Sequence, residues 1–221
     1  MTADKNLRMA EGLVLADVYE SLKHEPENPE ILDSYKVLLE AMYEQWEYFV
    51  GSGMIQVDYT EEPEVNPNSK EMLKRLIGEH KLTVLAEESS LSGLLPGHPM
   101  ADMAPIGGVQ NNLIFRAIHD IVGHGMTKSS FSDAGERQAY LNHANTIPRE
   151  ALKALTVETR MQNCWTNWHA GHQNLAPHDR PFPKQKVGNY DFALVPDTLV
   201  TEIDPLPIGK SIDIARQMIF G

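Results

Sequence analysis

Between Val109 and Trp168 the sequence reads as three consecutive helices, about Val109–His124, Asp133–Asn145 and Pro148–Trp168. Acids and imidazoles stand on their inward faces, where apolar side chains belong. On the third helix Ala151, Leu155, Glu158, Gln162, Trp165 and His169 share one face; on the second Glu136, Tyr140, His143 and Ile147 do. A carboxylate in a core is costly unless it is paired or bound to a metal. Whatever this chain folds into must therefore bring partners to Glu136 and Glu158. Those partners are a metal ion or one of the nearby arginines, Arg137, Arg149 and Arg160.

The first of the three helices closes with His119-Asp120-Ile121-Val122-Gly123-His124, and six of the nine histidines lie between His119 and His178. Histidine is the commonest metal ligand and the common acid–base group near neutral pH. On an ideal α-helix, residues five apart point about 140° away from each other. His119 and His124 can face one ion only if the helix ends or bends near Gly123, which lacks a Cβ and tolerates unusual backbone angles. The alternative is a core histidine followed by one that caps the helix dipole.

The segment His119-Asp120-Ile121-Val122-Gly123-His124 resembles the His-(Asp/Glu)-x-x-Gly-His iron motif of the aromatic amino acid hydroxylases. Thr156-Val157-Glu158 resembles the later helix on which that family carries a glutamate ligand. The resemblance spans about a fifth of the chain. It implies that His119, His124 and Glu158 hold a mononuclear non-haem iron(II), with open positions for oxygen and substrate. The family's pterin and substrate residues find no counterparts here. The longer pattern, from Phe115-Arg116 through Gly135-Glu136 and His143 to Glu158-Thr159-Arg160, resembles one in uncharacterised bacterial and phage proteins, and that likeness carries no function.

Other residues take expected roles around such an ion. Asp120 or Asn112 orients a ligand imidazole, Arg116 holds an anionic small-molecule substrate, and Gln162 and Asn163 bind its polar groups. Trp165 and Trp168 wall the pocket or pack in the core. Glu136, His143 and Arg116 are candidate catalytic residues, Glu136 as a base beside the metal. Glu136 also stands just after Asp133 and Gly135 at a helix start, where the macrodipole already favours an acid; Glu158, mid-helix, has no such local reason and is the expected third ligand. His169 and His172 are candidates for a second site. The leading function is an iron(II) oxygenase or hydroxylase. A zinc or dinuclear hydrolase with the same ligands comes second. A non-enzymatic helical interaction module, with both glutamates in ion pairs, comes third.

The rest of the chain predicts a mainly α, single domain over residues 1–221 with a small two- or three-stranded β element. A first helix spans about Ala3–Lys23, with Leu7, Val14, Leu15, Val18 and Leu22 inward. A second begins at the cap Asn28-Pro29-Glu30 and carries the stripe Leu32, Tyr35, Leu39, Met42, Trp46 and Phe49, suited to the core or to a homodimer seam. Strands are expected at Met54–Thr60 and Leu82–Ala86, flanking a helix at Ser69–Glu79. Ser89–Gly108 reads as a long functional loop, Asp191–Glu202 as weakly strand-like, and Lys210–Phe220 as a last helix. A net charge of −12 with no basic stripe argues against nucleic-acid binding. No apolar run approaches a membrane span, and the expected location is cytoplasmic. The one cysteine, Cys164, excludes an intrachain disulfide and a cysteine-rich zinc site, and reads as a small packed residue.

Overall fold

The computed structural model describes residues 3–62, 68–86, 93–105 and 107–221. Part of the acidic loop before Ser69 and part of the loop expected at Ser89–Gly108 lie outside them. Helix α1 is Ala3–Ser21, and α2 is Pro29–Trp46. The Asn28 side chain caps α2 by accepting the Glu30 N–H at 3.1 Å, with Pro29 in the first turn. Strands β1 (Gln56–Thr60) and β2 (Lys81–Leu85) flank α3 (Ser69–Glu79). They pair in parallel, with Gln56 opposite Lys81 and Thr60 opposite Leu85, so α3 is the crossover that a parallel pair requires.

The remaining helices are α4 (Asn111–Ile118), α5 (Asp133–Ala144), α6 (Leu152–Thr156), α7 (Gln162–Trp168), α8 (Asp197–Val200) and α9 (Ile208–Phe220). Two of them continue into widened π turns. His119–His124 follows α4 and leads into a last helical turn, Gly125–Thr127; Val157–Met161 joins α6 to α7. The fold is thus mainly α with one small parallel sheet. None of the described helices is long and apolar enough to cross a membrane.

The core gathers α2, α4, α5 and α6 around Leu38, Met42, Ile114, Ile118, Leu155 and Val157. The stripe on α2 packs within this chain: Tyr35, Met42, Trp46 and Phe49 are buried, and Leu32 and Leu39 are half-buried. Ser34 ties α2 to α6, its hydroxyl donating to the Glu150 carbonyl at 2.6 Å and accepting from the Ala154 N–H at 3.1 Å.

Two expectations need correction. On α1, Leu7 and Val14 are exposed, and the inward positions belong to Glu11, Leu15, Ala16 and Tyr19. Glu11 takes a core position because Arg137 of α5 meets it in a two-point ion pair at 2.7 and 2.9 Å. Asp191–Glu202 is not a strand: the Asp191 side chain caps a short turn at Phe192–Leu194, and Pro196 leads directly into α8. Cys164 is fully buried, and burial pushes its thiol up to about 12, in keeping with a packing role.

Candidate metal centre and its cavity

The helix that carries His119 and His124 neither ends nor bends at Gly123. It widens, the Gly125 N–H bonding back to the Asp120 carbonyl, five residues earlier. A turn closed in this way brings together residues five apart, as an α turn does those four apart. The two imidazoles therefore stand on one side of the helix, ring centres 5.2 Å apart. Gly123 is needed for close approach: a Cβ there would come 3.1 Å from both the Ala139 carbonyl of α5 and His119 Nδ1. The turn ends at Lys128, in the left-handed region at φ 55°.

Helix α5 brings the third group. Ser132 caps it, accepting the Gly135 N–H at 3.3 Å, and Gly135 lies so close to the Ser130 carbonyl that a Cβ would overlap it. That tight entry sets Glu136 across from the two histidines. His124 Nε2 lies 3.5 Å from Glu136 Oε1, and His119 Nε2 lies 3.7 Å from Glu136 Oε2. One donor atom from each of the three residues falls within 4.8 Å of the others, the one such group among the described residues.

The reverse sides of both rings are engaged. His124 Nδ1 lies 3.3 Å from the Ser129 carbonyl and 3.2 Å from its hydroxyl. His119 Nδ1 lies 3.4 Å from His143 Nδ1. Phe115 stacks on His119, and Phe131 meets the His124 ring edge-on.

Charge follows this arrangement. Burial raises the Glu136 carboxyl, but the adjacent His119 and His124 outweigh it and hold it down to about 2. For His124, burial works downward and is overcome by Glu136 and Asp120, so its imidazolium form is favoured. His143 goes the other way: complete burial, with His119 beside it, keeps it well below the usual range.

The centre opens on a cavity of about 750 Å³. Asn112, Arg116, Asp120, Gln162 and Asn163 line it, as does Glu158. Glu158 is engaged elsewhere than at the histidine pair. Tyr35 donates a hydrogen bond to its Oε1, Gln162 Nε2 donates to Oε2 at 3.1 Å, and His98 Nε2 stands 3.1 Å from Oε1, off the axis of a hydrogen bond. The carboxylate grouped with His119 and His124 is Glu136, which the sequence reading put second to Glu158.

His143 stands behind His119, fully buried and off the cavity wall. Trp165 and Trp168 turn toward α1 and α5, donating to Glu20 at 2.6 Å and Asp133 at 3.0 Å. His169 and His172 pack against Trp165, and no metal-ligating group forms there among the described residues. Sequence reasoning missed Tyr35, His98, Phe131 and Phe182. Tyr35 looked like one more member of the α2 core stripe, and His98 lay in a loop legible only as a binding segment.

Compared with protein-family models, curated proteins and solved structures, the chain matches none.

Proposed function

We propose that this protein is a mononuclear metal-dependent enzyme, an iron(II) oxygenase or hydroxylase whose ion is held by His119, His124 and Glu136. The observation that carries the reading is the orientation of the two rings. Both present Nε2 to one carboxylate across 3.5 and 3.7 Å, wider than the hydrogen-bond range of about 2.7–3.2 Å. Donors bound at about 2.0–2.2 Å to a common ion lie roughly 3.0–3.5 Å from one another. The three donors, within 4.8 Å of one another, would close on a shared ion by a small contraction, and neither ring is at ordinary hydrogen-bond distance from Glu136.

The surroundings support the same reading. Metal-bound imidazoles generally donate their second N–H to a fixed acceptor. The Ser129 carbonyl serves His124 in this way. His143, kept neutral by burial, serves His119 through Nδ1 in the tautomer that carries its proton on Nε2. His143 is then a positioning residue, not a group that meets substrate. Two imidazoles and one carboxylate leave coordination positions open, and bound iron(II) supplies the redox chemistry that oxygen activation needs. The chain contributes a walled cavity for a small-molecule substrate. Arg116 and Lys184 on its wall suit an anionic group, and Phe115, Phe131 and Phe182 suit an apolar body.

A zinc hydrolase is the second reading, favoured by one observation: the third donor is Glu136, whereas the hydroxylase likeness puts it at Glu158. Metal analysis of protein prepared without nickel resin or chelator separates the two. One iron per chain, with oxygen consumption that His119→Ala abolishes, is the expected result. Zinc at one per chain moves the function to hydrolysis, and no stoichiometric metal removes both readings.

A further inference from the structure

On the wall of the same cavity as the histidine pair stands a carboxylate with unusual company. The Glu158 side chain is 2% exposed and that of His98 is 0% exposed. Helix α2 supplies Tyr35, the 98–100 turn supplies His98, and the same widened turn that carries Glu158 is followed directly by Gln162. The Met100 N–H donates to His98 Nδ1 at 3.2 Å, which leaves Nε2 as the nitrogen that carries the proton; it stands 3.1 Å from Glu158 Oε1, off the axis of a hydrogen bond. Tyr35 and Gln162 donate to the carboxylate.

None of them is a lysine or an arginine. Among the described residues no guanidinium or ammonium lies within ion-pair distance of Glu158; its one such contact is with His98. Glu11, buried on α1, has Arg137 at 2.7 Å, and Asp133 has Arg160 at 3.2 Å. Glu11, the other carboxylate buried among the described residues, is thus given a cation, and Glu158 is not. A carboxylate oxygen accepts about two hydrogen bonds. Oε1 accepts from Tyr35 and has His98 Nε2 beside it at 3.1 Å, whereas Oε2 accepts from Gln162 alone and keeps an accepting position. Glu158 lines the cavity, so a ligand can fill that position.

We propose that Glu158 is the cation-recognition group of the cavity: it receives a substrate's ammonium or amidinium N–H while the apolar part of that substrate lies against Phe115, Phe131 and Phe182. This assigns Glu158 to substrate, not to metal, and it rests on the metalloenzyme reading only for the identity of the other pole. Tyr35, His98 and Gln162 are positioning residues that hold the carboxylate, and the missing counter-ion is the substrate.

The test uses metal-loaded protein and two probes of one shape, benzamidinium and neutral benzamide; the protonated amidinium is a poor metal ligand, so binding reports on the carboxylate. Wild type is expected to bind the cation at least about tenfold more tightly than the amide, the size of one charge-assisted hydrogen bond. Glu158→Gln should bring that ratio to about one and leave metal stoichiometry unchanged. Should that variant fail to fold, Glu158→Asp withdraws the charge by one methylene, and the ratio should fall severalfold. A wild-type ratio near one overturns the proposal, as does a ratio that survives Glu158→Gln. Loss of metal from Glu158→Gln overturns it as well, by making Glu158 a ligand. If wild type holds no stoichiometric metal yet keeps a Glu158-dependent ratio, the metalloenzyme reading fails and the cation site stands.

Discussion

Glu136 and Glu158 line one cavity, and their surroundings differ in kind. Glu136 faces two imidazole nitrogens at 3.5 and 3.7 Å, groups that become acceptors once deprotonated. Glu158 accepts from a phenol and an amide, with the His98 imidazole beside it. A carboxylate facing two imidazoles needs something positive between them, which a proton on His124 supplies in the metal-free protein and a bound ion would supply in its place. A carboxylate among donors is already held, and what it lacks is charge balance. The difference teaches that two acids lining one cavity are told apart by the polarity of their neighbours.

The sharpest way to break this comparison is to delete one group from each side and count metal. His124→Ala or Glu136→Ala should lower metal affinity by more than the roughly 10–100-fold that changes behind a ligand produce. Glu158→Gln should leave it within a few-fold of wild type. Titration of metal-free protein with circular dichroism as a check on folding reads both. If Glu158→Gln loses the metal and Glu136→Ala keeps it, the two roles are reversed.

The next effect is on stability. Gly135 sits against the Ser130 carbonyl at the entry to α5, and Gly135→Ala forces that turn to move. Overpacking costs typically about 1–3 kcal/mol, and a clash with backbone belongs at the upper end. Chemical denaturation is expected to show that loss, together with weaker metal binding, because Glu136 follows directly on the displaced turn. Wild-type stability in the variant would mean that the Ser130 turn gives way freely.

These residues also mark what could be read beforehand. The helices other than α8, the strands on either side of α3 and the cap of α2 were legible because period and capping are local properties. So was the pairing of His119 with His124, which residue type and spacing singled out and which the structure places side by side. The reason they meet was not legible: the 140° separation expected of an α-helix called for a break at Gly123, whereas the chain widens the turn and continues. A π turn has no pattern of apolar residues to announce it. The choice between Glu136 and Glu158 was hidden for another reason. It depends on Tyr35, more than a hundred residues away in sequence, and on His98 in an irregular loop. Likewise Glu11 took a core position from Val14 only because Arg137 came to meet it.

A smaller effect tests the donor side alone. Tyr35→Phe removes the hydroxyl that donates to Glu158 and leaves the ring in place. An unmet buried acceptor costs about 1–3 kcal/mol. Thermal or denaturant unfolding should show a loss in that range with metal stoichiometry intact. A loss of metal on Tyr35→Phe would join the two regions that the comparison separates.

The smallest effect uses Glu11 as the reference for a carboxylate that does have its counter-ion. Burial raises its carboxyl, but hydrogen bonds from Arg137 and the Thr198 hydroxyl, with the charge of Arg137, outweigh that and leave it below its ordinary value. A depressed carboxylate contributes stability that is fully present above its unfolded pKa and is lost as pH falls through its folded value. Glu11 therefore steepens the acid limb of the stability curve, below the ordinary carboxylate range near 4.5. Glu11→Gln should flatten that limb and lower the plateau near neutral pH by a modest amount, since Arg137 keeps Glu202 as a partner at 2.6 Å. The measurement is unfolding free energy against pH on metal-free protein. An unchanged acid limb in Glu11→Gln would show that Arg137 adds nothing to a buried acid here. The contrast between a carboxylate supplied with a cation and one left waiting for it would then lose its energetic basis.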